Sequence, residues 1–134
     1  MTHQINFTFQ ESDWTTPSQY PNLKDAEVIA IDLETKDPDI KTKGPGWPSM
    51  NGNIIGISVA TDSFKGYYPI SHEAGSNMDA KMVLNWVQDV CRAPGVKVFH
   101  NAAYDLGWLR AHGIVVSGKI ADTMIAAALI DENR

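Results

Sequence analysis

The 134-residue chain has one cysteine, Cys91, so no disulfide can form within it. The expectation is a fold stable in a reducing compartment without covalent staples. It lacks a run of about 18 apolar residues, which excludes a transmembrane helix. The opening residues, Met1-Thr2-His3-Gln4-Ile5-Asn6, lack the basic and apolar blocks of a secretory signal. Basic charge is also short. Eleven Lys and Arg stand against 16 Asp and Glu, for a net charge of -5, which argues against a protein that coats nucleic acid through a basic face. A protein that meets phosphate through bound cations is not excluded. Repeats and low-complexity tracts are absent, as are a P-loop and a Gly-x-Ser-x-Gly elbow. The four histidines, His3, His72, His100 and His112, show no paired zinc-ligand spacing.

What is present is the composition of a globular domain, 43% hydrophobic and 20% charged. At this length folding buries roughly two-thirds of the unfolded surface. Residues 1–26 are polar and turn-rich and are expected to form a lead-in that packs on a domain spanning 27–134. Within the lead-in, Ile5, Phe7 and Phe9 alternate with polar residues and predict one short edge strand. Val28 to Leu33 is apolar on both alternating faces apart from Asp32, which predicts a central strand covered on both sides. A loop rich in Gly, Pro and Lys follows, then strands over 53–60 and 67–70. Pro69 has no amide to donate and suits an edge. These three strands predict an antiparallel meander.

Helix and strand then alternate. Asn77 is expected to cap a helix to about Cys91, with Met82, Val83, Trp86, Val87 and Val90 on one side. Pro94-Gly95 stops it. Val96 to Phe99 is a strand, and Asn101 caps a helix from Ala102 to about His112, closed by Gly113. A short strand over 119–121 leads to Asp122 or Thr123, which opens a last helix through Ile130. This order predicts a mixed sheet with helices on its faces, α/β or α+β.

Asp32 and Glu34 lie two apart at the C-terminal end of the first strand, so their side chains leave the same face. Two carboxylates 4 Å apart repel by about 1 to 4 kcal/mol. Either a cation sits between them or the strand ends early and both are solvated. Open sheets also bind ligands beyond the carboxyl ends of their strands. Asp105 lies within about 60° of Ala102 and 40° of Leu109 on the helical wheel, bordering the apolar stripe that includes Leu106. Its alternative role is an early-turn acid favoured by the helix dipole. Asp32, Glu34 and Asp105 together suggest an all-oxygen site for the hard ions Mg2+ or Mn2+.

Ile31-Asp32-Leu33-Glu34-Thr35 resembles the Asp-x-Glu-Thr motif of the DEDD-type 3′→5′ exonucleases. His100-Asn101-Ala102-Ala103-Tyr104-Asp105 resembles their Asn-x-x-Tyr-Asp motif, and Ala121-Asp122-Thr123-Met124 the segment after it. The spacing, Tyr68-Pro69-Ile70-Ser71-His72 and the Gly113-Ile114 turn are most similar to the proofreading domain of bacterial and phage family-A DNA polymerases, over about residues 25 to 134. The resemblance implies an α/β, ribonuclease H-like mixed sheet: three antiparallel strands then two parallel ones, order 3-2-1-4-5, flanked by helices. It implies two divalent metal ions, Mg2+ or Mn2+, held by four carboxylates, of which Asp32, Glu34 and Asp105 match three as catalytic and metal-binding residues. The implied reaction is in-line attack of water on the terminal phosphodiester of a single-stranded DNA 3′ end, releasing 5′-mononucleotides. Leu33, Thr35, His100, Asn101 and Tyr104 match positions near the strand. A polymerase domain in cis, and a cytoplasmic setting in a bacterial cell or phage-infected host, complete the implied picture.

The resemblance breaks in two places. The family's apolar wedge after the first motif is replaced by Lys36-Asp37-Pro38, with Pro38 as its substitute or no wedge at all. The third motif, Tyr- or His-x-x-x-Asp, is absent, and Asp122 is expected to cap the last helix rather than supply the fourth carboxylate. Three further positions keep two readings each. Trp47 stacks on a base or covers the sheet. Lys36, Lys41 and Lys43 guide phosphate or form a solvated loop. Asn101 caps its helix or touches the strand. The expectation is a domain incomplete at its C-terminus, weakly active or inactive alone, with Met124, Ile125 and Leu129 forming a patch for self-association. Two functions compete: a ribonuclease D-like exoribonuclease with the same metal chemistry, and a catalytically silent scaffold or strand-binding module.

Overall fold

The computed structural model describes residues 15–132. The expected strand at Ile5, Phe7 and Phe9 lies outside the described residues. Strands β1 (Val28–Lys36), β2 (Asn53–Ala60) and β3 (Lys65–Pro69) form the antiparallel meander, and β4 (Val96–Phe99) and β5 (Ile120–Asp122) add in parallel on the other side. The sheet order is β3-β2-β1-β4-β5, the α/β architecture expected, with Pro69 on an edge strand. Among the described residues four α-helices accompany it: α1 (Ile40–Lys43), α2 (Ala80–Arg92), α3 (Ala102–Ala111) and α4 (Thr123–Glu132). The loop expected between β1 and β2 therefore carries α1 and a 3-10 turn at Trp47–Ser49.

Alternation along β1 sorts the sheet into two faces. Ile29, Ile31 and Leu33 are buried in one core with Ile57 and Val59 of β2, Tyr68 of β3, Phe99 of β4, and residues from α2 and α3. The opposite face of β1 carries Val28, Ala30, Asp32 and Glu34, all exposed, and Val28 keeps half its surface in solvent. The expectation that both faces are covered fails among the described residues, because α2 and α3 both contribute their buried side chains to one core. A groove of about 480 Å3 runs over the open face, lined by Ala30, Asp32, Ser58, Val98 and His100.

Helix ends depart from the sequence reading in instructive ways. The N-cap of α2 is Asp79, whose Oδ1 accepts from the Met82 amide at 3.1 Å. Asn77, expected there, instead brackets the backbone of His72 through its side-chain amide, and Met82 stays exposed instead of joining the apolar side. Asn101 starts α3 in the left-handed region, φ 66°, which Asn tolerates better than most residues, and its side chain makes no capping bond. Asp122 does that work. Its oxygens accept from the amides of Asn101 and Ala102 at 3.0 and 2.8 Å, and from Met124 at 2.9 Å, so one carboxylate caps α3 and α4 together. Those bonds hold its carboxyl below the usual range.

An aromatic group closes the far end of the core. Tyr68 and Trp86 stack with centroids 4.5 Å apart, Tyr20 and Phe64 pack around them, and Tyr68 and Trp86 donate to the carbonyls of Gln19 and Pro21. Lys97 of β4 points into the same core and is fully buried. Its ammonium donates to the carbonyls of Ala93 and Ser117, and burial lowers its pKa. Ala93 is the C-cap of α2, so the cation also sits at the negative end of that helix.

Candidate active site

Unequal strand lengths create the site. β1 has nine residues and β4 only four, and their pairing stops at Ala30 opposite Val98. Among the described residues, the β4-side edge of β1 from Ile31 to Lys36 therefore has no strand partner. The chain leaves β4 and enters α3 within two residues, which brings the first turn of α3 beside this edge. Tyr104 and Asp105 dock there.

Asp105 is 3% exposed, a buried acid on a helix face that otherwise carries Ala102, Trp108 and Leu109. Its carboxyl is pushed up to about 7, first by burial, then by the negative charge of Asp32, with Asp122 adding a smaller push; the Leu33 amide pulls the other way. One of its oxygens, Oδ2, is buried without a hydrogen-bond partner among the described residues. Such an atom costs about 1 to 3 kcal/mol, more when charged. The pair Asp32 and Asp105 thus fits a divalent cation: one counter-charge would relieve their mutual repulsion and give the orphaned oxygen a ligand.

The next residue turns the other way. The Tyr104 hydroxyl lies 2.7 Å from Thr35 Oγ1 and donates to Asp37 Oδ2 at 3.0 Å. Both Asp37 oxygens also accept from the Gly46 amide. Thr35 and Tyr104, paired in the sequence reading only by their motifs, are therefore in contact. Asp37, named in that reading only as part of Lys36-Asp37-Pro38, ties them to the loop before β2.

Glu34 departs from its expected company. Among the described residues no three His, Cys, Asp or Glu side chains converge closely enough to hold an ion. Glu34 Oε2 accepts from the Tyr67 hydroxyl, which also bonds His72 Nε2. Burial and the Glu34 carboxylate together raise the Tyr67 pKa, so the phenol stays protonated. Leu33 is buried beneath the site, His100 is exposed with Nδ1 2.9 Å from Thr123 Oγ1, and Asn101 meets Asp122 through its backbone. Asp122 is occupied as a double cap, in keeping with the capping role expected for it.

The alternatives left open around the loop resolve toward packing. The ring of Trp47 lies against Gly107, where an added Cβ would come within 2.4 Å of it, so Trp47 covers α3. Lys36 pairs with Glu73 at 2.8 Å and Lys43 with Asp39 at 3.6 Å, which spends part of the basic cluster on neighbouring acids. Pro38 is exposed.

Residues 17–134 match the family model of the 3′-5′ exonuclease found in family-A DNA polymerases. The chain belongs to that family. A DNA-directed DNA polymerase of Pseudomonas phage M6 is 41% identical over 113 residues, covering 81% of this chain and 17% of the phage protein. DNA polymerase I of Borreliella burgdorferi is 30% identical over 113 residues, covering 84% of this chain and 12% of that protein. The exonuclease chain thus spans less than a fifth of the polymerases it matches. Its fold is shared with Brucella melitensis NrnC bound to pGG, TM-score 0.56 at 18% identity, covering 85% of this chain and 50% of that one. This is a 3′-5′ exonuclease domain of the DNA polymerase I type, and its family generally uses divalent metals.

Proposed function

We propose that this exonuclease acts on single-stranded DNA 3′ ends, hydrolysing the terminal phosphodiester to release 5′-mononucleotides, as the proofreading module of a polymerase in cis. One observation carries the reading: Asp105, buried, with one oxygen unpartnered, held against Asp32 at the free end of β1. A carboxylate in that position is costly unless a cation is its partner. Asp32 and Asp105 would hold divalent Mg2+ or Mn2+, and a second ion would draw on Glu34, whose Oε2 is bonded to Tyr67. When bound, such ions supply water activation and leaving-oxygen stabilisation for in-line attack.

The chain's own residues do the rest. Thr35 and Tyr104, joined through their hydroxyls, form a polar step beside the carboxylates where a terminal nucleotide would rest. Asp37 fixes the Tyr104 hydroxyl and so the height of that step. Leu33 and Asn101 shape its floor and rim, and His100 borders the groove on the open face. The exposed apolar side of α4, with Met124, Ile125 and Leu129, is proposed as a contact for a second copy.

The test is degradation of a 5′-labelled single-stranded DNA by the chain in Mn2+, beside a matched RNA. Slow stepwise shortening of the DNA that disappears in EDTA and in Asp105→Ala is expected. Mononucleotide release that survives Asp105→Ala would sink the site, preference for the RNA would move the substrate to the ribonuclease D-like class, and DNA affinity retained in EDTA without cleavage would indicate a strand-binding module.

A further inference from the structure

Glu34 is held by a device that spans three strands. In the register of the sheet Glu34 lies opposite Gly56 on β2, and Tyr67 of β3 pairs with Ser58, the next residue on the same face. The Tyr67 ring crosses β2 above Gly56 to bring its hydroxyl to Glu34 Oε2. Only glycine permits that path: a Cβ on residue 56 would lie 2.0 Å from the Tyr67 oxygen and 2.4 Å from the ring carbon that carries it. The hydroxyl has one proton, which goes to the carboxylate, so His72 must donate from Nε2. His72 is in turn seated by Asn77, which bonds both its amide and its carbonyl at 2.8 and 2.9 Å. A register shift in the β1–β2 ladder falls directly after Glu34, where such an irregularity bends a strand and re-aims its side chains. Tyr67 thus bonds the carboxylate oxygen directly, His72 bonds Tyr67 and lies 3.7 Å from that oxygen, Asn77 seats the His72 backbone, and Gly56 leaves the space.

We propose that Tyr67 is a positioning residue for Glu34: it ties down Oε2 on the open face and leaves Oε1 for a divalent cation beside Asp32. This rests on the reading of Asp32 and Asp105 as metal ligands. A carboxylate on an exposed strand end otherwise samples several rotamers, and fixing one oxygen reduces the entropy lost when the other binds an ion. Hydrogen-bond partners of metal-binding groups typically contribute roughly 10- to 100-fold in metal affinity. His72 sets the direction of the phenol proton, and Gly56 keeps the path clear.

The experiment titrates Mn2+ alone into the full chain, following the loss of the free-ion electron paramagnetic resonance signal, for wild type, Tyr67→Phe, Gly56→Ala, the double variant and Asp105→Ala. Tyr67→Phe keeps the ring and is expected to raise the Mn2+ Kd by roughly 10- to 100-fold. Its metal-free urea midpoint should be unchanged. Gly56→Ala is expected to weaken binding comparably, and the double variant no further than the weaker single one, because both remove the same contact. Mn2+ binding in Tyr67→Phe equal to or tighter than wild type overturns the proposal, and so does a collapse of its urea midpoint. No Mn2+ uptake by wild type, or uptake that survives Asp105→Ala, overturns the underlying site instead.

Discussion

Replacing Asp105 by Asn should make this protein more stable, and only at the pH where the enzyme is expected to work. The carboxyl titrates at about 7 in the folded chain against 3.8 ordinarily, chiefly because it is buried and faces Asp32. An acid whose pKa is raised by folding holds its proton more tightly in the native state. The stability this contributes is complete below 3.8 and is lost as pH rises through about 7. Each pH unit of that window weakens folding by about 1.4 kcal/mol, so the ionised group costs roughly 4 kcal/mol above it. Asn has nearly the same shape and no charge at any pH. Urea unfolding in EDTA, followed by tryptophan fluorescence, should give similar free energies for the two proteins at pH 3.5. The difference should then grow to roughly 4 kcal/mol in favour of Asp105→Asn at pH 8. Adding Mn2+ at pH 8 should raise the stability of the wild type and not of the variant, because an ion that binds only the native site stabilises it by mass action. A wild-type to variant difference that stays flat with pH would show that Asp105 is not a buried, charge-strained group, and the site built on it would fall.

Gly107→Ala places a methyl within 2.4 Å of the Trp47 ring; the urea midpoint should fall by an amount equivalent to about 1 to 3 kcal/mol, with a red shift in tryptophan emission. Unchanged emission would show that Trp47 does not pack on α3. Asp122→Ala removes the carboxylate that accepts from three backbone amides and should lower the melting temperature and the far-UV helix signal together. Because folding lowers the Asp122 pKa, the stability it contributes is present above the ordinary carboxylate value and is lost as pH falls through the lower folded one. The gap between wild type and variant should therefore close in strong acid, and a gap that widens there would refute the double cap. Self-association through α4 should appear as concentration-dependent sedimentation that Leu129→Asp abolishes; a strictly monomeric wild type at high concentration would count against that contact.

Elements and their order were legible in the sequence because the periodicities are strong and the two motifs fall on a strand end and a helix start. Asp105 was legible too, since its position on the helical wheel borders the packing face and the structure buries it. What escaped was long-range. Val28 and Ala30 look like core residues because a strand's composition reports what it tolerates, not which elements reach it. Tyr67 stood in a strand without a role, because its contact with Glu34 depends on the register of β2 and on the missing side chain of Gly56. Asn77 and Asp79 are both good caps, and only the chain path chose between them. Nothing in the sequence of the short strand 96–99 marks Lys97 as buried, because the carbonyls of Ala93 and Ser117 that accept from its ammonium come from other segments.

The notch left by the short β4 has a kinetic meaning as well. Thr35 and Tyr104, whose hydroxyls meet across it, are 69 residues apart in the chain. Closing a loop of that length costs about 4 kcal/mol of chain entropy before any contact is rewarded. The meander and α2 are local by comparison, so the carboxylates are brought together only after β4 has paired and α3 has turned back along β1. An ion bound between Asp32 and Asp105 would then report on completed folding, and a chain stalled with its meander formed and α3 undocked would have strands but no nuclease.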